Sequence, residues 1–236
     1  MYLYIRNFTN SNTTTFTFEH MDMIIPKLHY IPKGNSPKEV LENIQKACTS
    51  GIELVQLGLE DVSEKKFLKI AEEAREITSH FQTRLIIENQ YKIAHTIKAD
   101  GVVLNKTAAS PTEVRKLLYT WQMVGGTANT LQDAETLLTK EVDYISLGPF
   151  KATTNEEDSS PVLGLNGYTL LVEALKTETP IIAFGGISTA DVKGLLETGV
   201  SGIAVSEEIT SNFDSIKTFH QLLEASSTAE QRHTFE

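Results

Sequence analysis

Between residues 27 and 224 short apolar runs alternate with helical patterns eight times, and few folds accommodate that rhythm. The runs stand at residues 27–31, 52–57, 84–88, 101–104, 121–125, 142–147, 181–184 and 203–206. Their brevity and apolar character predict strands buried on both faces, as in a parallel sheet. The intervening segments predict helices. Residues 63–79 place Phe67, Ile70, Ala71, Ala74 and Ile77 on one face at a 3.6-residue period. Ser36-Pro37-Lys38-Glu39 and Ser110-Pro111-Thr112-Glu113 both read as capping boxes with proline at the first helical position. Further helices are expected at 91–97, 131–139, 165–176, 189–197 and 213–224. Eight even strand–helix units predict an α/β fold, a single (β/α)8 TIM barrel, with an open doubly wound sheet as the alternative. A weak internal echo supports repetition: Ala99-Asp100-Gly101, Val142-Asp143-Tyr144 and Val200-Ser201-Gly202 each lead into an apolar run.

The chain of 236 residues suits one such barrel. Residues 1–22, rich in Thr and Asn, read as a poorly ordered N-terminal extension. The barrel is expected over 23–224, and 225–236 reads as a polar tail. A net charge of −10 argues against nucleic acid or an anionic membrane as partner. One cysteine, Cys48, excludes an intrachain disulfide and a cysteine metal cluster. No apolar run has the length of a membrane span and no signal-peptide pattern opens the chain, so a cytoplasmic location is expected. A homo-oligomer is compatible with this reading.

The stretch Ile181–Ser188 joins a buried strand, two glycines and a helix start. Glycines let a ligand approach the backbone, and the first N–H groups of a helix favour an anion. In eight-stranded barrels the loops after strands 7 and 8 commonly hold phosphate. Gly185, Gly186, Val205 and Ser206 are therefore the expected phosphate cup, and a small phosphorylated substrate is the expected partner. The other strand ends carry Gln56, Glu88, Asn89, Lys106, Thr127, Asn129 and, in the long loop after strand six, Thr154. That loop, 148–164, reads as a lid.

The order Val55-Gln56-Leu57, Leu85 to Asn89, Ala99 to Leu104, Gly125-Gly126-Thr127-Ala128-Asn129, Asp143 to Phe150 and Gly185-Gly186-Ile187 resembles the thiamine-phosphate synthase/TenI family over nearly the whole barrel. The resemblance implies a synthase that joins a pyrimidine methyl diphosphate to a thiazole phosphate, expelling pyrophosphate with magnesium. It puts the thiazole phosphate on Gly186, Val205 and Ser206, with Gln56, Asn89, Thr154 and Gly185 as further binding residues.

The diphosphate half departs from the family pattern. Gly58 and Glu60 stand where the family has Arg and Lys. Glu88, Asn89 and Gln90 stand for Asn-Asp-Arg. Asn105, Lys106, Thr107 and Ala108 stand for Gly-Gln-Glu-Asp. Ala152, Thr153, Thr154 and Asn155 stand for Thr-x-Thr-Lys. Two metal carboxylates and about four cations are thus replaced, and leaving pyrophosphate needs such charges. No metal ligand set is assigned, and magnesium is implied only where synthase activity is retained. In the TenI-like branch a histidine moves a proton on a thiazole carboxylate phosphate, and Asn129 stands at that place. The candidate catalytic residues are Glu88, Lys106, Thr127 and Asn129, with Glu88 and Lys106 able either to act as acid and base or to pair as a rim ion pair. The alternatives to synthase chemistry are a tautomerase-type proton transfer and a non-catalytic phosphate-ligand binder.

Overall fold

The computed structural model describes residues 24–152 and 161–233, with side chains to residue 225. The expected extension at 1–22 and residues 153–160 of the expected lid, Thr154 among them, lie outside the described residues. Eight parallel strands close into a barrel in chain order. They are β1 (Leu28–Tyr30), β2 (Leu54–Leu57), β3 (Arg84–Glu88), β4 (Gly101–Leu104), β5 (Met123–Ala128), β6 (Tyr144–Leu147), β7 (Ile181–Phe184) and β8 (Gly202–Val205). Pairing of β8 with β1, Leu28 opposite Ile203, completes the ring. The strands alternate with α1 (Pro37–Thr49), α2 (Glu64–His80), α3 (Tyr91–Thr96), α4 (Pro111–Arg115), α5 (Leu131–Leu138) and α6 (Gly164–Leu175). After β7 a 3₁₀ turn (Thr189–Asp191) leads into α7 (Val192–Glu197). After β8 come α8 (Glu207–Ser211) and α9 (Ser215–His233), the last running past the helix end expected at 224. Among the described residues no helix is long and apolar enough to cross a membrane.

Side chains alternate across each strand, so every apolar run serves two layers. Leu54, Ile86, Val103, Met123, Tyr144, Ile182 and Ala204 pack together in the lumen. Val55, Leu85, Ile87, Ile145 and Ala183 face the helices in the larger outer core. His29 on β1 meets Tyr144 on β6 edge to face, ring centroids 5.5 Å apart. These strands are not neighbours, so the contact crosses the lumen. Burying a side chain of this size contributes about 1.5–3 kcal/mol.

Tyr144 fits because Gly125 carries no side chain: an added Cβ would run into its ring. This corrects the sequence reading of strand five. Residues 121–125 were expected, with the glycines as its end; β5 instead runs Met123–Ala128, through both glycines. Tyr144 covers Gly125, and Leu137 of α5 packs where a Gly126 side chain would stand. Trp121 lies before the strand, exposed and stacked on Tyr119.

The internal echo has a physical meaning. Asp100, just before β4, accepts from the Leu85 N–H of β3 at 2.7 Å and pairs with Arg75 of α2. Asp143, just before β6, accepts from the Val124 N–H of β5 at 2.6 Å and pairs with Arg115 at 3.0 Å. Ser201, just before β8, accepts from the Ile181 N–H of β7 at 3.3 Å. Each satisfies a buried N–H at the base of the preceding strand, a group that is costly to leave unpaired.

The two expected capping boxes are only partly formed. Ser36 Oγ accepts from the Glu39 N–H, but the Glu39 carboxylate reaches Asn35 N rather than the cap residue. Ser110 makes no side-chain cap bond. Complete boxes form at Thr130–Asp133 and Ser188–Asp191, where the Asp carboxylate accepts from the cap N–H.

Candidate functional site at the barrel mouth

The C-terminal ends of the strands bring the expected residues to one face of the barrel, in three groups. The first joins β2 and β3. Gln56 points into the lumen, 4 % exposed, and its Nε2 donates to Glu88 Oε1 at 2.7 Å. Glu88 lies across Gly58, where any Cβ would collide with its carboxylate. Burial pushes the Glu88 carboxyl above the usual range; the Gln56 bond opposes this and Glu60 adds to it. Gln56 Oε1 and Tyr144 OH, both buried, have no hydrogen-bond partner among the described residues.

The second group holds loops in place. Asn89 adopts a left-handed backbone (φ 57°), and its Oδ1 accepts from Asn105 N at 2.9 Å. Asn105 Oδ1 accepts in turn from Thr107 and Ala108. Lys106 does not pair with Glu88, which corrects the rim ion pair expected as one alternative. Its Nζ lies 2.7 Å from Asp133, the residue that caps α5. Burial pushes the Asp133 carboxyl up, but bonds from Lys106, Thr130 and Asn129 outweigh it and hold it below the usual range. Asn129 Nδ2 donates to the Gly148 carbonyl at 2.6 Å, so its amide clamps the β6 loop. Thr127 stands opposite Ser146, two residues beyond Gly125 and on the same lumen face.

The third group lies between β7 and β8. Gly185 and Gly186 have φ of 98° and 65°, conformations that suit glycine. The pairing of Phe184 with Ala204 sets Gly186 beside Ser206. Val205 is buried, and its carbonyl accepts from Ile31 N. Ser206 Oγ is buried without a partner among the described residues. The helix-start N–H groups expected to be free for an anion are already used. Asp191 accepts from Ser188 N at 2.9 Å, and Glu208 accepts from Thr189 N at 3.1 Å. Lys151 Nζ reaches Asp191, while its backbone N–H donates to the Gly185 carbonyl at 3.0 Å. Burial raises the Asp191 carboxyl, and the bonds from Lys151 and Ser188 more than reverse that. Glu207 is exposed, and Glu208 is the acidic residue that turns in.

Sequence reasoning passed over Lys151, Asp191, Glu208 and Tyr144. The Ser188-to-Asp191 spacing was a readable cap signal. Nothing local marked the other three, which meet their partners only on barrel closure.

The described residues of the mouth do not fit magnesium. That ion takes one or two carboxylates and leaves room for water and phosphate oxygens. Here Glu88 is turned onto Gln56, Asn89 and Asn105 spend their amide oxygens on loop N–H groups, and Lys106 adds a cation. Among the described residues no three His, Cys, Asp or Glu side chains are arranged to hold a metal.

The family model described as thiamine monophosphate synthase matches residues 29–209. The chain is 36% identical over 201 residues to a thiamine-phosphate synthase of Flavobacterium johnsoniae, covering 84% of this chain and 95% of that protein. It is 31% identical over 199 residues to one from Bacteroides fragilis, covering 83% and 98%. Among solved structures, the thiamine phosphate pyrophosphorylase of Pyrococcus furiosus superposes with a TM-score of 0.74 at 23% identity, covering 85% of this chain and 96% of that one. A 3-hexulose-6-phosphate synthase superposes at 0.65 and 17% identity, covering 85% and 99%. These two likenesses are of fold.

Proposed function

Because the chain belongs to the thiamine monophosphate synthase family, we propose that its barrel mouth binds a thiazole phosphate and performs a step of thiamine biosynthesis on it. The family match, running from β1 into α8, carries this reading. The phosphate sits at the β7–β8 side. The Gly185–Gly186 turn and the Ser206 hydroxyl face it, and Lys151 stands beside it as the local cation.

The other half of the mouth governs the chemistry. Synthase turnover expels pyrophosphate, and the developing charge needs fixed donors and cations. Glu88 and Glu60 put negative charge there, and Lys106 is held by Asp133. Losing one well-placed donor costs about 10²–10³ in rate. Pyrophosphate-releasing turnover is therefore slow in this chain.

A second reading follows from Glu88. Its carboxyl is raised by burial and held by the Gln56 amide, the direction required of an acid or base working near neutral pH. This favours tautomerase-type proton transfer over a non-catalytic binder. Asn129 cannot supply that proton, since a carboxamide does not ionise near neutral pH, and its amide clamps Gly148 instead.

The test is calorimetric titration with thiazole phosphate, alone and then with the pyrimidine methyl diphosphate and magnesium, while pyrophosphate is monitored. Binding without release, together with solvent-proton exchange on a thiazole carboxylate phosphate, is the expected result. Binding with fast release restores standard synthase chemistry. Binding with neither leaves the non-catalytic binder. Absence of thiazole phosphate binding overturns the proposal.

A further inference from the structure

Ser206 is the N-cap of α8, a helix of only five residues. So short a helix has little stability of its own, and its place is set by what ties it to the barrel. On the β7 side Glu208 accepts from Thr189 N at 3.1 Å and from Thr189 Oγ1 at 2.9 Å. On the β1 side the fully buried Tyr30 reaches it twice. The Tyr30 hydroxyl lies 2.8 Å from Thr210 Oγ1, and its ring meets Phe213, just past the helix, edge to face at 6.3 Å. Thr210 in turn bonds Ser206: its N–H and its Oγ1 both donate to the Ser206 carbonyl at 2.9 Å. The Thr210 hydroxyl has one proton and gives it to Ser206, so Tyr30 is the donor to Thr210. Burial raises the Tyr30 pKa from 10.0 to about 12, with the Thr210 and Lys33 bonds opposing, so the phenol keeps its proton. A helical threonine often bonds the carbonyl four residues back, and that bond alone is local. Here the same hydroxyl also receives a buried phenol from 180 residues away, across the line where β1 closes on β8. Ile31 N holds the adjoining Val205 carbonyl at 2.9 Å, so β1 grips both Val205 and Ser206.

We propose that Tyr30 and Thr210 are positioning residues for the phosphate cup, holding Ser206 where it meets a bound phosphate. The proposal rests on the β7–β8 side being a phosphate site, as argued above, and adds the residues outside the cup that set its affinity. Both act through Ser206, whose own hydroxyl stays without a partner among the described residues. Removing the Thr210 hydroxyl takes one donor from the Ser206 carbonyl and leaves the Tyr30 phenol buried and unpaired, a costly state that α8 relieves by shifting. Removing the Tyr30 hydroxyl cuts the same chain one link earlier.

The experiment titrates the full chain and its variants with inorganic phosphate by calorimetry and follows thermal unfolding of the same samples. Thr210→Val keeps the branched shape and removes the hydroxyl, and Tyr30→Phe removes the donor. Each should weaken phosphate binding about five- to tenfold, the scale of one hydrogen bond. The double variant should lie within about twofold of Thr210→Val, because the two residues act through one chain of bonds. Thr210→Ser restores the hydroxyl and should restore the affinity. Asp100→Ala loses stability at the opposite end of the barrel and should leave phosphate affinity unchanged, which separates positioning from general destabilisation. Unchanged affinity in Thr210→Val and Tyr30→Phe overturns the proposal. So does a Thr210→Ser chain as weak as Thr210→Val, a double variant with additive losses, or an equal loss in Asp100→Ala. An unmodified chain that binds no phosphate overturns the cup reading itself, a result distinct from phosphate binding that ignores the variants.

Discussion

Lys151 Nζ lies 2.6 Å from Asp191 Oδ2, across 40 residues of chain and beside the Gly185–Gly186 turn. The same Asp191 oxygen also accepts from the Ser188 N–H. One carboxylate thus holds both the cation and a helix-start N–H that an incoming phosphate would use. Replacing Asp191 with Asn should tighten inorganic phosphate binding several-fold, at a stability cost of about 1 kcal/mol for the weakened cap. Lys151→Ala should weaken phosphate binding. Titration calorimetry with phosphate checks both, and unchanged affinity in both variants removes Lys151 from the cup.

Asn129 is a clamp. Its amide donates to Gly148 O at 2.6 Å, and its backbone N–H donates to Asp133 at 3.3 Å. Asn129→Ala should cost about 1–2 kcal/mol, because the Gly148 carbonyl loses its donor. Urea unfolding measures the loss. Faster proteolysis in the 148–164 loop should accompany it.

The base of the barrel offers a sharper stability test. Asp100→Ala removes the acceptor of the Leu85 N–H and the ion pair of Arg75, and Asp143→Ala removes the acceptor of the Val124 N–H and the ion pair of Arg115, which keeps the Gln122 and Glu141 carbonyls. Each should cost about 2 kcal/mol by denaturant unfolding, the scale for hydrogen bonds to a charged group. The proposed phosphate cup lies at the other end of the strands, so phosphate affinity should stay within about twofold, since separated sites act independently.

His29 gives the fold an acid limit. Burial in the lumen lowers its pKa from 6.5 to about 4, with the Pro26 carbonyl bond opposing and Arg84 adding to the fall. The unfolded chain therefore takes up a proton near pH 6.5 while the folded chain stays neutral. The stabilisation is complete above pH 6.5 and is lost as pH falls towards 4. The loss is roughly 3 kcal/mol by linkage. His29→Phe keeps a ring against Tyr144 and removes the titration. Its unfolding free energy should change less between pH 7 and pH 4.5 than that of the unmodified chain. An identical slope in the two proteins excludes His29 as the source.

The periodicity of apolar runs sufficed for eight strands, their order and most boundaries, because strand burial and helix amphipathicity are local properties. Strand five shows the limit. The strand was expected to stop at Gly125, and its passage through Gly126 is explained only once Tyr144 and Leu137, residues from later elements, occupy the space above the two glycines. The mouth was legible as a set of residue types and not as a set of partners. Gln56 and Glu88 both stood at strand ends, but their mutual bond depends on the vacancy at Gly58. The rim ion pair, one of two expectations for Lys106, named the wrong carboxylate, because Asp133 comes within reach only after β5 and α5 are in place.

The polar residue before β4, β6 and β8 fastens three of the four successive strand pairs. These three pairs are accordingly two-strand modules, fastened at the end remote from Glu88, Asn129 and Ser206. Scaffold and chemistry are written in separate sets of positions. A lineage can reverse the charge of the mouth while the modules continue to lock, so whole-chain similarity tracks the scaffold and a handful of strand-end residues tracks the reaction.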